Sequence, residues 1–97
     1  MKNVRFEWDE KKSSANFRNH GVPFDEAKTV FYDENAIEFY DEDHSSEETR
    51  FLMLGLSSRL RILLVSYTVM ETKAEDVIRI ISSRKASKNE QKIYFER

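Results

Sequence analysis

The sequence predicts an α+β domain built on a mostly antiparallel sheet. Three observations carry this reading. Apolar runs of strand length fill the chain between residues 36 and 85, joined by links short enough for hairpins. Helical spacing of apolar residues is confined to the segment between the first strand and residue 31. A helix-start signature then appears once more, at Ser87-Lys88-Asn89-Glu90. The order is strand, helix, helix, four strands, helix.

The elements follow in turn. Val4-Arg5-Phe6-Glu7-Trp8 alternates apolar and polar residues, as a half-buried strand does. Asp9 is a good N-cap for a helix from Glu10 to Asn19, closed by His20-Gly21, where Gly21 suits the left-handed residue past a last turn. Ala15 and Phe17 are that helix's only clear core candidates, which places it on the rim. Pro23 opens a second helix with Phe24, Ala27, Val30 and Phe31 as its buried stripe. Ala36 to Tyr40 reads as a short strand, followed by a polar loop from Asp41 to Thr49. Phe51 to Ser57 and Arg61 to Thr68 read as a hairpin across Ser58-Arg59-Leu60, and Met70 to Asp76 as a polar turn. The capping box at Ser87 and Glu90 opens a last helix, with Ile93 and Phe95 available for burial.

The final strand, Val77-Ile78-Arg79-Ile80-Ile81-Ser82-Ser83-Arg84-Lys85, has apolar residues on both flanks, so it belongs inside the sheet with helices on at least one side. Ile78, Ile80 and Ser82 share one face by alternation. Arg79 falls on the other, because an unpaired charge is too costly in a dry core. There it either balances a carboxylate across the sheet or, with Arg84 and Lys85 beyond it, recognises phosphate.

A chain of 97 residues suits one domain with one modest core. It has no cysteine, which excludes disulfides and thiol chemistry. No run reaches membrane-spanning length, and Met1-Lys2-Asn3-Val4-Arg5 lacks a signal-peptide apolar region, so a cytoplasmic address without a membrane partner is expected. Glycine occurs twice, at Gly21 and Gly55, and neither forms a phosphate-cradling loop, which argues against nucleoside-triphosphate chemistry. No cofactor is expected. The formal net charge of −2 hides a division: residues 1–50 carry −6 and residues 51–97 carry +4. Such asymmetry marks an anion-binding half or two halves that attract each other. A DNA-binding domain in its own right fits poorly, for the N-terminal half is acidic and no basic recognition helix is present.

Across nearly its whole length the chain resembles the BrnT toxins of type II toxin-antitoxin modules. The opening pattern is carried by Phe6-Glu7-Trp8-Asp9, Lys12, Asn16, His20-Gly21-Val22, Phe24, Glu26-Ala27 and Val30-Phe31. The middle pattern lies in Asp43-His44-Ser45, Glu48, Arg50 and Gly55-Leu56-Ser57. The closing pattern is Ile78 to Ala86, with Glu90 and Tyr94 in the last helix. Pro23 and Glu10 depart from it, both at helix starts. The resemblance implies a RelE-like fold, a twisted antiparallel sheet with helices on one face. It also implies a metal-independent endoribonuclease that stops translation and growth, acting on RNA free or on the ribosome. Its partner would be a BrnA-like antitoxin whose ribbon-helix-helix end binds operator DNA. The alternative is a non-catalytic antitoxin partner and co-repressor with the same fold.

Metal-free RNA cleavage needs a base for the 2′-hydroxyl, cations for the phosphorane and an acid for the 5′-oxygen. Arg79, His20 and Lys12 are the catalytic candidates, with Arg84, Lys85 and Asn16 as substrate-binding groups. Lys12, Asn16 and His20 are four residues apart and share a helix face. His20 has an alternative role as a dipole-complementing cap, and Arg84 and Lys85 as a solvated turn. His44, among flexible carboxylates, reads as a solvated or antitoxin-facing loop more than as a metal ligand. Tyr94 reads as core more than as proton donor.

Overall fold

In a computed structural model, which describes residues 3–46 and 48–96, five strands form one sheet. Met1 and Lys2 of the N-terminus, Glu47 of the acidic run and Arg97 lie outside the described residues. The strands are β1 (Asn3–Glu7), β2 (Ile37–Tyr40), β3 (Phe51–Leu56), β4 (Ile62–Glu71) and β5 (Glu75–Lys85), in the order β1-β5-β4-β3-β2. β1 runs parallel to β5, and every other neighbouring pair is antiparallel. The helices are α1 (Glu10–His20), α2 (Phe24–Ala27) and α3 (Lys88–Glu96). The expected element order and the α+β class hold.

Strand alternation sends Leu63, Val65 and Tyr67 to one face of β4, and Ile62, Leu64 and Ser66 to the other. The first face is covered by α1, by α2 and by a 3-10 helix (Lys28–Tyr32). Val22, Phe24, Ala27 and Val30 join Leu63, Val65 and Ile80 there in the main core. Each fully buried side chain of this kind contributes roughly 1.5–3 kcal/mol. On the opposite face Leu54, Ile62, Ala86 and Tyr94 form a smaller cluster with Leu56 and Leu64, so α3 covers one end of that face. The helices thus divide between the two faces instead of sharing one.

Two close contacts fix how α2 and the 3-10 helix after it meet the sheet. Glu26, almost wholly buried, accepts from Arg61 Nε at 2.8 Å and Nη2 at 2.6 Å, and from the Ser57 hydroxyl at 2.7 Å. Its carboxyl is held below the usual range, chiefly by the Arg61 hydrogen bonds. Beside it, Gly55 permits an approach that a side chain would block, since a Cβ there would sit 2.8 Å from Val30 Cγ1. The charged pair would be costly if broken, because the carboxylate would remain buried without a counter-charge.

Several local expectations are corrected. Ala15 and Phe17 are not the buried residues of α1: Phe17 is exposed, and the residues turned inward are Ser13 and Asn16. A helix lying against a strand edge meets backbone groups, which polar side chains satisfy. Pro23 caps α2 from outside, and the expected second helix is one α turn continued by the 3-10 helix. The polar turn before β5 is shorter than Met70 to Asp76: β4 runs to Glu71, and Thr72 closes the turn through hydrogen bonds to both backbone groups of Glu75. In α3 the inward residue is Tyr94, while Ile93 and Phe95 are exposed.

The alternation of β5 also breaks. Ser66 lies opposite Ser82 and Tyr67 opposite Ile80, leaving Ile81 as the extra residue of a β-bulge. Ile78 and Ile80 face the helices as expected, but beyond the bulge it is Ser83 that lies with them. Ser82 passes to the opposite face with Arg79 and Arg84, whose strand partners are Thr68 and Leu64.

In the β3–β4 turn Leu60 has φ 63°, a left-handed conformation, with its side chain exposed. That conformation is disfavoured for any residue with a Cβ, and the side chain gains nothing by burial. Leu60→Gly is expected to stabilise the protein by about 0.5–1 kcal/mol. A thermal melt should show Tm rising by a few degrees; an unchanged or lower Tm would show the turn to be unstrained.

Candidate active site

The face opposite the main core is where the functional side chains collect. From β2 to β3 the ladder continues one step beyond the strands, Asp41 N–H donating to Arg50 C=O at 2.9 Å. The described residues between them include a 3-10 turn, Glu42–His44. Ser45 fastens it: its hydroxyl donates to Asp41 C=O and accepts from Arg50 N–H at 2.9 Å. The loop leans over the sheet and leaves a cleft of about 350 Å³, floored by Leu52, Leu64, Ser66 and Ser82. Asp41, Asp43, His44 and Arg50 line it from the loop side, and Arg84 and His20 from the other.

His20 reaches the cleft because α1 is anchored one turn earlier. β1 ends opposite Arg79, so the outer edge of β5 beyond that point has no strand neighbour. Asn16 takes the vacant place. Its amide group donates to Ser83 C=O and to Val22 C=O, both at 2.7 Å, and its carbonyl accepts from Ser83 N–H at 3.1 Å. Asn16 is thus buried and fully committed to the fold, which removes it from direct contact with substrate. Gly21, at φ 72°, ends the helix as expected and leaves His20 at the cleft.

Arg84 stands at the far end of β5, gripped by Glu90 through bonds of 2.7 and 2.8 Å. Glu90 also closes the capping box, accepting from Ser87 N–H at 2.8 Å while Ser87 Oγ accepts from Glu90 N–H at 3.2 Å. Donation from Arg84, then from the Ser87 backbone, outweighs burial and holds the Glu90 carboxyl at about 2. Arg84 is raised in turn by its bonds to Glu90. The result is a fixed guanidinium on the rim of the cleft.

Arg79 is on the same face but outside this cleft, in a neighbouring hollow with Glu48, Thr49 and Thr68. The register sets it directly opposite Glu7, and Nη1 lies 3.4 Å from that carboxylate. A carboxylate partner across the sheet, one of the two sequence readings, is therefore present. With both side chains well exposed the pair is weak, and a phosphate oxygen could replace the carboxylate. Lys12 and Lys85 are exposed and do not line the cleft. Tyr94 is buried, donating its hydroxyl to Asp33 Oδ2 at 2.6 Å.

Sequence reasoning underrated the loop. His44 Nδ1 lies 3.0 and 3.2 Å from the two oxygens of Asp41, a nearly buried carboxylate. Arg50 was not among the candidate residues, although its position at the start of a strand after an acidic run was a usable signal. Its Nε is buried with no hydrogen-bond partner among the described residues. Among those residues no three His, Asp or Glu side chains come together to hold a metal ion, and no helix is long and apolar enough to cross a membrane.

A cleft of arginines, hydroxyls and imidazoles on an antiparallel sheet is suited to handling a phosphodiester. A family model described as the ribonuclease toxin BrnT of type II toxin-antitoxin systems matches residues 8–90. The chain is thereby a ribonuclease toxin of a type II toxin-antitoxin system. It belongs to the BrnT family. No protein with a curated description matches it. The 1.1 Å crystal structure of the Brucella abortus ribonuclease toxin BrnT is similar in fold, with a TM-score of 0.62 at 24% sequence identity, over 89% of this chain and 99% of that one.

The Glu90 pair yields a pH prediction. Its folded value of about 2 lies below the ordinary carboxyl value of 4.5, so its stabilisation is fully present above about 4.5 and is lost as pH falls through 2. Glu90→Gln should lower Tm by several degrees at pH 7, and the gap to the wild type should close between pH 4.5 and pH 2. A gap that stays constant over that range would assign the loss to the capping box instead of the charge.

Proposed function

We propose that this chain is a metal-independent endoribonuclease, using the RNA's own 2′-hydroxyl as nucleophile, and that its target is RNA free or on the ribosome. The observation that carries this reading is the convergence of His20 and Arg84 on one cleft floored by Ser66 and Ser82. An imidazole is the side chain whose ordinary pKa suits proton transfer near neutrality, and a fixed guanidinium suits a developing phosphorane dianion. Arg79, further along the same face, holds a flanking phosphate. Lys12 and Lys85 contribute only at longer range.

Cleavage of RNA in the cytoplasm inhibits translation and growth until a BrnA-like antitoxin, with a ribbon-helix-helix DNA-binding end, covers the face. Operator DNA is contacted only through that antitoxin. The whole chain, residues 1–97, acts as one toxin domain.

The test is incubation of purified protein with RNA in the presence and absence of chelator and of ribosomes. Cleavage should survive chelation and leave a 2′,3′-cyclic phosphate or its hydrolysis product. Loss in chelator, restored by a divalent ion, would reject the mechanism. In the same assay Arg79→Ala should keep its Tm and lose about tenfold in RNA affinity, on the scale of one charged hydrogen bond to a flanking phosphate. A destabilised variant of unchanged affinity would instead make Arg79 a partner of Glu7 and nothing more.

A further inference from the structure

The loop side of the cleft holds an arrangement for which the reading above has no use. We propose that His44, oriented by Asp41, is the general base of the cleft and works opposite His20 as the general acid. This rests on the nuclease reading and adds to it which groups move the protons.

The geometry of the Asp41–His44 pair carries the assignment. Both Asp41 oxygens lie within 3.2 Å of His44 Nδ1. A carboxylate only accepts, so Nδ1 carries the proton and Nε2 presents its lone pair. Asp41 is itself immobilised, nearly buried, with its backbone N–H and C=O both engaged at the neck of the loop. A base is thus held in one tautomer on the loop, and His44 is among the residues that line the cleft.

The other groups around the cleft complete the set. Arg50, in the same wall, adds a guanidinium whose Nη2 lies 3.6 Å from the Glu48 carboxylate. His20 lies in the last turn of α1 and lines the cleft opposite the loop. Asp43 adds negative charge on the loop side, and Arg84, already matched by Glu90, adds a balanced cation on the other.

In the reaction the RNA 2′-hydroxyl gives its proton to His44 Nε2, and its oxygen bonds to the adjacent phosphorus. The bond from phosphorus to the 5′-oxygen breaks, and that oxygen takes a proton from His20. The products are a 2′,3′-cyclic phosphate and a 5′-hydroxyl, with the two rings left in exchanged protonation states that water resets. No oxidant, metal or further reactant enters.

The experiment measures RNA cleavage, RNA binding and thermal melting for the wild type, His44→Ala and Asp41→Asn, with and without added imidazole. His44→Ala should keep its Tm within a few degrees and its RNA affinity, lose about 10²–10⁴ in rate, and recover part of it in imidazole. Asp41→Asn should lose less, and its pH–rate profile should shift, because an amide no longer fixes the tautomer. A His44→Ala that cleaves at the wild-type rate overturns the assignment and leaves the nuclease reading standing. A loss of rate that follows a fallen Tm and is not relieved by imidazole also overturns it, making His44 a loop fastener. RNA left intact by the wild type overturns the nuclease reading, and this assignment with it.

Discussion

One side-chain amide holds the functional half of the molecule in register. β1 is too short to cover the outer edge of β5, and a buried strand edge with open N–H and C=O groups is not tolerated. Asn16 answers both groups of Ser83 and ties in Val22 as well. Through this one residue α1 is joined to β5 just past the bulge. The position of His20 relative to Ser82 and Arg84 follows from that junction. An alanine there would take the partner from three backbone groups, Ser83 N–H and C=O and Val22 C=O, each worth about 1–3 kcal/mol if left unmet, and would release the helix end from the cleft.

The division of charge along the chain takes on a physical meaning in this light. Arg79 pairs with Glu7, Arg61 with Glu26 and Arg5 with Glu75, each joining the N-terminal half to the C-terminal half. Of these, only the Glu26 pair is removed from water on its acidic side. It fastens α2 to the β3–β4 turn, while the exposed pairs leave their arginines open to exchange. The acidic loop, in turn, comes to rest over the face that carries Arg84 and Arg79. Of the two meanings the sequence left open for that division, attraction between the halves is the one these pairs display.

What was legible in the sequence was whatever depends on local period and local chemistry. Strand alternation, the hairpin between β3 and β4, the glycine past α1 and the capping box before α3 all express themselves within a few residues. The family resemblance, read from spaced motifs, was likewise available and is matched by the family comparison. The bulge at Ile81 was not legible, since one additional residue in a strand leaves no mark in composition. It reversed the faces of Ser82 and Ser83, and the assembly of the cleft turns on that reversal. Nor could Asn16 be told from an exposed polar residue: its burial follows from where β1 stops. The loop from Asp41 to Arg50 read as solvated because its composition is that of a solvated loop, and its resting place over the sheet is decided by the ladder beneath it.

The parallel pairing of β1 with β5 has a consequence for when the molecule becomes complete. Asn3 is matched with Glu75 and Glu7 with Arg79, so β1 must wait for β5 before it finds its place. Contacts of such long sequence separation form late and slowly. A nascent chain still short of residue 75 has no β5 for Asn16 to clasp, no Arg84 and no Glu90 to hold it. Assembly of the cleft therefore waits until the chain has been made through Glu90, and a nascent copy short of that point has no cleft to offer.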